Sequence, residues 1–522
     1  MTTMNRRKFL QRAALFGAGA AVVPQIDPSF FLRSALASRG APMVFLAAEN
    51  MTGNWDPTSH TNLAQMNLES MVFGTLTRAP MTEEDPSEIR YELATGMELL
   101  DDHTLEVTLR DGVVFHNGAS FTAADVKATY EYGSRSDRPA AWHPGRCEVE
   151  VVDDYTARIH TSGDDFPASM YILLSSFLPI LSAADIEDGS ISDRPNGTGP
   201  FKYVERRGND TTLEAFDDYF AGTPQLSGIR YSFVGDSSSR LLALMNGEAD
   251  VIERLEPEQL ETLRGRGGVK INKMLSVENK YLWFRCSKPP FDNELLRLAA
   301  CHAIDHEQVL AIMGEAAQES RAHISPVKFG YADLDAYPQF DPERCQQLLS
   351  EAGYPRGEGL PELEYITSIG FYPKTQEYGE LITAMLQAQG FPVTMNVMEV
   401  AAWNDAYYHR EGGGPGHMVD GGWATGSPEP DLVLRTHFHS SSRRVCGIQD
   451  DEIDAALDRE RNEPDLDKRE RIIQEETLPL IARKAPAHSL FTSVFMHAMR
   501  EDVDGLFLYP NGQLDASETA IS

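Results

Sequence analysis

The sequence predicts a mixed α/β protein, and three observations carry that prediction. Alternating apolar and polar residues fill much of the first half, as in Leu105, Val107 and Leu109 against Glu106, Thr108 and Arg110. Capped helices with clear stops recur, the plainest running from Asp341-Pro342-Glu343 to Ala352-Gly353. A strand-helix-strand order then appears in Leu363 to Thr367, Gln376 to Gln389 and Val393 to Val397, which implies parallel sheet.

The chain has 522 residues and a formal charge of -33. It opens with Asn5-Arg6-Arg7-Lys8-Phe9-Leu10, a twin arginine ahead of the weakly apolar run Ala13 to Val23, with Ala35-Leu36-Ala37 following. That run is too short to span a bilayer, and Pro24, Asp27 and Pro28 break any helical stripe. Residues 1–37 therefore read as a twin-arginine export signal. No cysteine precedes Cys147, so no lipid-anchored cysteine is expected at the start of a processed chain. Removing the signal takes away five cations and one anion and leaves about -37, a charge that repels nucleic acid and anionic lipid. The rest is long enough for two or three domains. Its five cysteines lack a CxxC pairing; one bridge is possible in an oxidising compartment, with buried thiols expected for most.

In chain order, Met43 to Ala48 reads as a first strand, followed by the turn cluster Asn54-Trp55-Asp56-Pro57. After Leu105–Leu109, Asp111-Gly112 turns the chain and Val113-Val114-Phe115 is expected to return it. Thr122 caps a helix with Asp125 three residues on, and Glu148 to Val152 and Tyr155 to His160 repeat the strand pattern. Antiparallel sheet with a helix packed on it is expected here.

The run from Leu105 through Arg110-Asp111-Gly112-Val113-Val114-Phe115-His116-Asn117-Gly118 to Ala124-Asp125-Val126-Lys127 resembles the signature of the large solute-binding proteins of ABC importers. That is solute-binding family 5, the peptide, opine and nickel type. The resemblance, over about residues 43–500 in separated blocks, implies a two-lobed periplasmic-binding-protein type II fold with an extra subdomain in the first lobe. It implies a first lobe of residues 38–276, with 59–191 inserted, completed by 488–522, and a second lobe of 277–487. It implies a soluble periplasmic monomer that takes a small molecule or short peptide to a permease and ATPase complex, without nucleic acid or cofactor. His116 is expected to pack in a turn.

Asn196 to Phe201 is a Gly/Pro turn without the Lys-Ser/Thr pair of a phosphate loop. A helix over Ser237 to Asn246 follows, then a strand at Ala249 to Ile252. Asn293 opens a helix through Ile304 and Asp305 caps another over Glu307 to Met313; this break argues against His302 and His306 as a metal pair. No nucleophile elbow, zinc-protease or dinucleotide motif occurs, so no enzyme is expected. The competing reading is an exported carrier of nickel or haem, or a metal-dependent enzyme, using His437 and His439 on one face of a strand.

Gly421-Gly422-Trp423-Ala424-Thr425-Gly426-Ser427-Pro428-Glu429-Pro430-Asp431 is too rich in Gly and Pro for a helix or an ordinary strand, and reads as a loop that presents side chains or as a turn with Trp423 in the core. The resemblance implies a place in the ligand cleft, with Asp420, Trp423, Thr425, Gly426, Ser427 and Arg435 near the solute and Asn54 and Trp55 at its mouth. Trp403, in a helical stretch with Tyr407 and Tyr408, joins the candidates. In peptide-binding members an aspartate three residues after the tryptophan holds the α-ammonium; Gly426 stands there. The expected ligand is therefore peptide-like or opine-like, without a necessary free ammonium. Glu429 and Asp431 are assigned to the turn and to capping of the next segment, and Arg435 pairs either with Asp431 or with a ligand carboxylate.

Overall fold

In the computed structural model, the residues described are 40–51, 53–60, 63–135, 147–162, 166–369, 371–409 and 413–522. The predicted export signal lies outside them. Residues 38–522 form one unit, and among the described residues an eleven-stranded mixed sheet runs through it. Its order is Val393–Glu399, Leu363–Ile369, Met418–Trp423, Val269–Phe284, Ala487–Arg500, Val251–Ile252, Met43–Ala47, Gly228–Phe233, Asp210–Ala215 and Phe201–Arg207, with Ala317–Gln318 also on Ala487–Arg500. The predicted parallel pair is present: Leu363 to Ile369 lies beside Val393 to Glu399, linked by helix Thr375–Ala388.

Two long antiparallel strands, Val269–Phe284 and Ala487–Arg500, tie the two ends of this sheet together. Their register shifts between Leu275 and Asn279, because Ser276, Val277 and Glu278 leave the ladder. The Ser276 hydroxyl meets the Glu278 amide at 3.0 Å, and the Val277 amide donates to the Pro510 carbonyl. Such an irregularity re-aims side chains, here Glu278.

A second, four-stranded antiparallel sheet has the order Ala94–Asp101, Thr104–Leu109, Thr156–Thr161, Cys147–Asp153. Leu105, Val107 and Leu109 point into its core, as the alternation predicts. Helix Ala123–Gly133 packs on it, opened by the reciprocal Thr122 and Asp125 cap. The expected return strand at Val113–Phe115 is reduced to a bridge between Val114 and Ser120, because Gly112, Gly118 and the Phe115 to Ala119 bond fold the segment into consecutive turns. His116 packs in this turn: its Nε2 meets the Gly199 carbonyl at 2.9 Å and its ring lies edge-on to Phe216.

The predicted caps recur elsewhere. Asp341 accepts from the Arg344 amide, Asn293 from Leu295, and Asp305 from Glu307. His302 and His306 are held by different carbonyls, those of Gln339 and Ser489. The segment His437-Phe438-His439 is not a strand. It ends helix Asp431–Phe438, because the tight turn at Ser427 to Pro430 and the pairing of Asp431 with Arg435 and Arg461 commit the chain to helical geometry.

Candidate functional site

Gly421, Gly422 and Trp423 end a strand rather than lying in a free loop. Gly422 sits opposite Lys280 and Trp423 opposite Asn279 on the long strand. Glycine is required at Gly421, where a Cβ would lie 2.1 Å from the packed Tyr407 ring, while at Gly422 a Cβ would meet the Glu278 carboxyl carbon at 2.8 Å and push that flexible side chain aside. On the edge away from Val269–Phe284, side chains satisfy the backbone. Trp403 Nε1 donates to the Asp420 carbonyl, Tyr407 Oη to that of Gly422, each at 3.1 Å, and the Tyr372 hydroxyl lies 3.1 Å from the Gly422 amide nitrogen.

Beyond Ala424 the chain is anchored from several directions. The buried Lys328 ammonium donates to the Thr425 carbonyl at 2.8 Å, the Thr425 hydroxyl at 2.5 Å and the Ser427 carbonyl. Burial lowers the Lys328 pKa to about 7, against the pull of Glu429. Ser427 donates to the Leu173 carbonyl, and Asn511 donates to the Gly426 carbonyl at 2.8 Å. Glu429 receives a two-pronged bond from Arg469 at 2.6 and 2.7 Å. The loop is thus packed between residues 173–177, the C-terminal tail and the helices after it.

The candidate side chains divide accordingly. Trp423 is half-buried, edge-on to His437 at 4.6 Å, with the Arg444 guanidinium 5.1 Å from its ring. A cation of the protein itself therefore lies against this ring. Thr425 keeps partial exposure, whereas Gly426 and Ser427 are buried. A Cβ on Gly426 would fall 1.6 Å from the Phe177 ring, so phenylalanine fills the space an acid would need.

Asp420 is a buried partner of Tyr378, at 2.5 Å, and of Lys280, at 3.5 Å, and so is turned away from solvent. Arg435 is used by Asp431 and Asp458, at 3.3 and 2.5 Å, so of its two predicted roles the internal pairing is present. Trp403 is fully buried, stacked on Tyr407 at 4.7 Å, and belongs to the core. Asn54 and Trp55 also make contacts within the protein. Asn54 accepts from the Asp56 amide and the Ser59 hydroxyl within its own turn, while Trp55 packs edge-on against Tyr203 in the core. His437 lies between Trp283 and Trp423 with its Nδ1 2.9 Å from the Val433 carbonyl, and burial drives its pKa down to about 3. His439 is 3.3 Å from Asp458 and bonded to Ser441. Pointed apart in this way, the two imidazoles do not form a shared metal site.

Sequence reasoning missed the charges on the long strand. Glu278, half-buried, is pushed above the usual carboxylate pKa by burial; Lys280, Arg254 and Ser493 oppose this, while Glu49 adds to it. Arg254, partly exposed, pairs with Glu49 at 2.6 Å and holds a left-handed backbone with φ 52°. Lys280 is buried with its ammonium 3.1 Å from the centre of the Tyr372 ring, and burial takes its pKa to about 8 against the pull of Asp420 and Glu278. The signal was present in Val277-Glu278-Asn279-Lys280-Tyr281, where two charges interrupt an otherwise buried strand. The resulting surface beside Gly422 carries acid and base within one polar patch, next to the exposed edges of Phe371 and Tyr408.

A mixed α/β chain with this sheet and a polar, aromatic patch on its shared strands has the build of a solute receptor. The chain matches the bacterial extracellular solute-binding proteins, family 5, over residues 88–444, and it belongs to that family. The glutathione-binding protein GsiB of Salmonella paratyphi A is 25% identical over 448 residues, covering 81% of this chain and 84% of that protein. Heme-binding protein A of Haemophilus influenzae is 27% identical over 469 residues, covering 82% and 83%. Among solved structures, the ABC transporter substrate-binding protein CtaP of Listeria monocytogenes superposes with a TM-score of 0.81 at 20% identity, covering 93% of this chain and all of that one. The chain is an extracytoplasmic solute-binding receptor of the ABC-importer type.

Proposed function

We propose that this receptor captures a peptide-like or opine-like solute in the periplasm and delivers it to a permease and ATPase complex in the inner membrane. The observation that carries this reading is the half-exposed set Glu278, Arg254 and Glu49 beside Gly422 and Trp423, which presents acid and base together, as a small zwitterion requires. The Phe177 ring over Gly426 supports a ligand that needs no acidic anchor for an α-ammonium at that position. The relative named for glutathione supports a peptide-like cargo. A metal or haem carrier finds less support, because His437 and His439 are engaged separately within the protein.

The lobes proposed are residues 38–276 with 488–522, and 277–487. The Leu275 to Asn279 irregularity in the long strand supports a change of lobe there, and on this reading ligand binding shifts the population toward a closed form. The receptor acts as a monomer.

Thermal unfolding with a ligand panel tests the cargo. N-blocked peptides or opine-type conjugates are expected to protect; a solute at a hundred times its Kd adds about 2.7 kcal/mol. Protection by ordinary di- and tripeptides but not by blocked or opine-type compounds overturns the reading. With the identified solute, Glu278→Gln is expected to weaken binding about tenfold or more, as loss of a charge-assisted bond would. For export, replacing Arg6 and Arg7 together by lysine is expected to leave the full-length chain in the cytoplasm, and unchanged periplasmic yield refutes the twin-arginine assignment.

A further inference from the structure

Two of the five cysteines form a pair that the solute-binding role does not use. Cys286 follows the long strand Val269–Phe284, and Cys446 lies in the segment after helix Asp431–Phe438. The Cys286 amide donates to the Cys446 carbonyl at 2.8 Å, the Cys446 thiol donates to the His437 carbonyl at 3.0 Å, and the two sulfurs are close enough to shift each other's ionisation. That single main-chain bond brings the two residues side by side, with Cα atoms roughly 5–6 Å apart, inside the window a disulfide spans. Cys446 is fully buried and Cys286 is half-buried, so only Cys286 is open to a reagent.

Local charge suits that division. Burial opposes the Cys286 thiolate, but the neighbouring Cys446 and the guanidiniums of Arg297 and Arg285 outweigh it and hold the thiol below its ordinary pKa. Cys446 is pushed the other way by burial and by its neighbour. The surrounding segment is clamped: Arg285 donates to the Val445 carbonyl, and Arg443 and Val445 take φ of 36° and 68°. A β-branched residue in that region is strained and persists only where its surroundings hold it. Between those two residues sits Arg444, the cation over Trp423.

We propose that Cys286 and Cys446 are a redox-active dithiol that closes to a disulfide outside the cytoplasm. The Cys286 thiolate attacks one sulfur of an external disulfide, R–S–S–R, forming a mixed disulfide and expelling one thiolate. Cys446 gives up its proton and attacks the Cys286 sulfur, expelling the second. Two protein thiols are oxidised, one external disulfide is reduced to two thiols, and the electrons balance. The bond fixes the strap that holds Arg444 against Trp423, so it joins the redox state of the compartment to the geometry of the candidate site.

The test exports the full chain, blocks free thiols with N-ethylmaleimide on lysis, and counts labels on the denatured protein by intact mass. Three labels are expected before reduction and five after it, with a non-reduced digest linking the Cys286 and Cys446 peptides. The same chain purified reduced is expected to lose two hydrogens on incubation with glutathione disulfide and to unfold at a higher temperature afterwards. Cys446→Ser is expected to stop at the mixed disulfide, heavier by one glutathionyl group. Five labels without reduction, or a bridge between other cysteines, overturns the proposal, and this outcome is read on the wild-type chain even where the variant does not fold.

Discussion

At Gly426 the specificity question comes down to one missing side chain. Phe177, from a segment 249 positions away, lies where its Cβ would go. Any larger residue there must displace a ring packed in the core with Tyr171 and Leu178. Gly426→Asp is therefore expected to destabilise the fold by about 1–3 kcal/mol, the usual cost of overpacking. In a Phe177→Ala background the same substitution is expected to cost measurably less, because the ring is gone. Urea midpoints for the four proteins of this cycle give the coupling; strict additivity would mean that Phe177 and Gly426 do not share that space.

Among the elements, helix Asp431–Phe438 and the strand before it show what local pattern can and cannot reveal. Helices with a cap residue and a Pro or Gly stop, such as Pro342–Glu351, were legible because their signals lie within a dozen residues. The Gly421–Trp423 strand was hidden because its reasons are remote: the ladder partner is Val269–Phe284, and its glycines make room for Tyr407 and Glu278. His437-Phe438-His439 imitates strand alternation in three residues, too few to outweigh the helix imposed upstream. That helix is introduced by Glu429, whose buried carboxylate is clamped by Arg469, itself bonded to Glu460 at 2.9 Å. All three side chains are fully buried, so the arginine offsets two desolvated acids. Arg469→Met is expected to cost about 3–5 kcal/mol by leaving them unpaired, measured as the shift in chemical unfolding. A loss below about 1 kcal/mol would show that the acids take up protons or water without penalty.

For the molecule as a whole, the order of elements was legible and the site was only half so, since Glu278, Arg254 and Tyr372 meet from three separate parts of the chain. The same folding buries several imidazoles, and this predicts how stability follows pH. Burial lowers the pKa of His116 and His323 to about 4 and of His437 and His497 to about 3, and takes His488 well below its ordinary value. Above pH 6.5 these groups are neutral in both folded and unfolded chains and contribute nothing to the dependence. As pH falls below 6.5 the unfolded chain binds protons that the folded one refuses, and each site costs up to about 1.4 kcal/mol per pH unit until its folded pKa is reached. Buried acids act in the opposite sense. Desolvation raises Glu69 to about 7 and also lifts Glu253, Glu256, Glu278 and Glu460 above the usual carboxylate range, so the folded chain holds these protons first and gains stability as pH falls toward 4.5. The two trends oppose each other from about pH 6.5 to 4.5; below 4.5 the histidine cost continues to about pH 3 and is joined by the loss of carboxylates held below the usual range, such as Asp450 beside Lys484 and Asp458 beside Arg435. The unfolding temperature is therefore expected to change gently down to about pH 4.5 and then to drop steeply. Calorimetry across pH 3–7 checks this, and an unfolding temperature that rises as pH falls from 6.5 to 4.5 would mean that the histidines titrate at their ordinary pKa in the folded protein and leave only the acids to act.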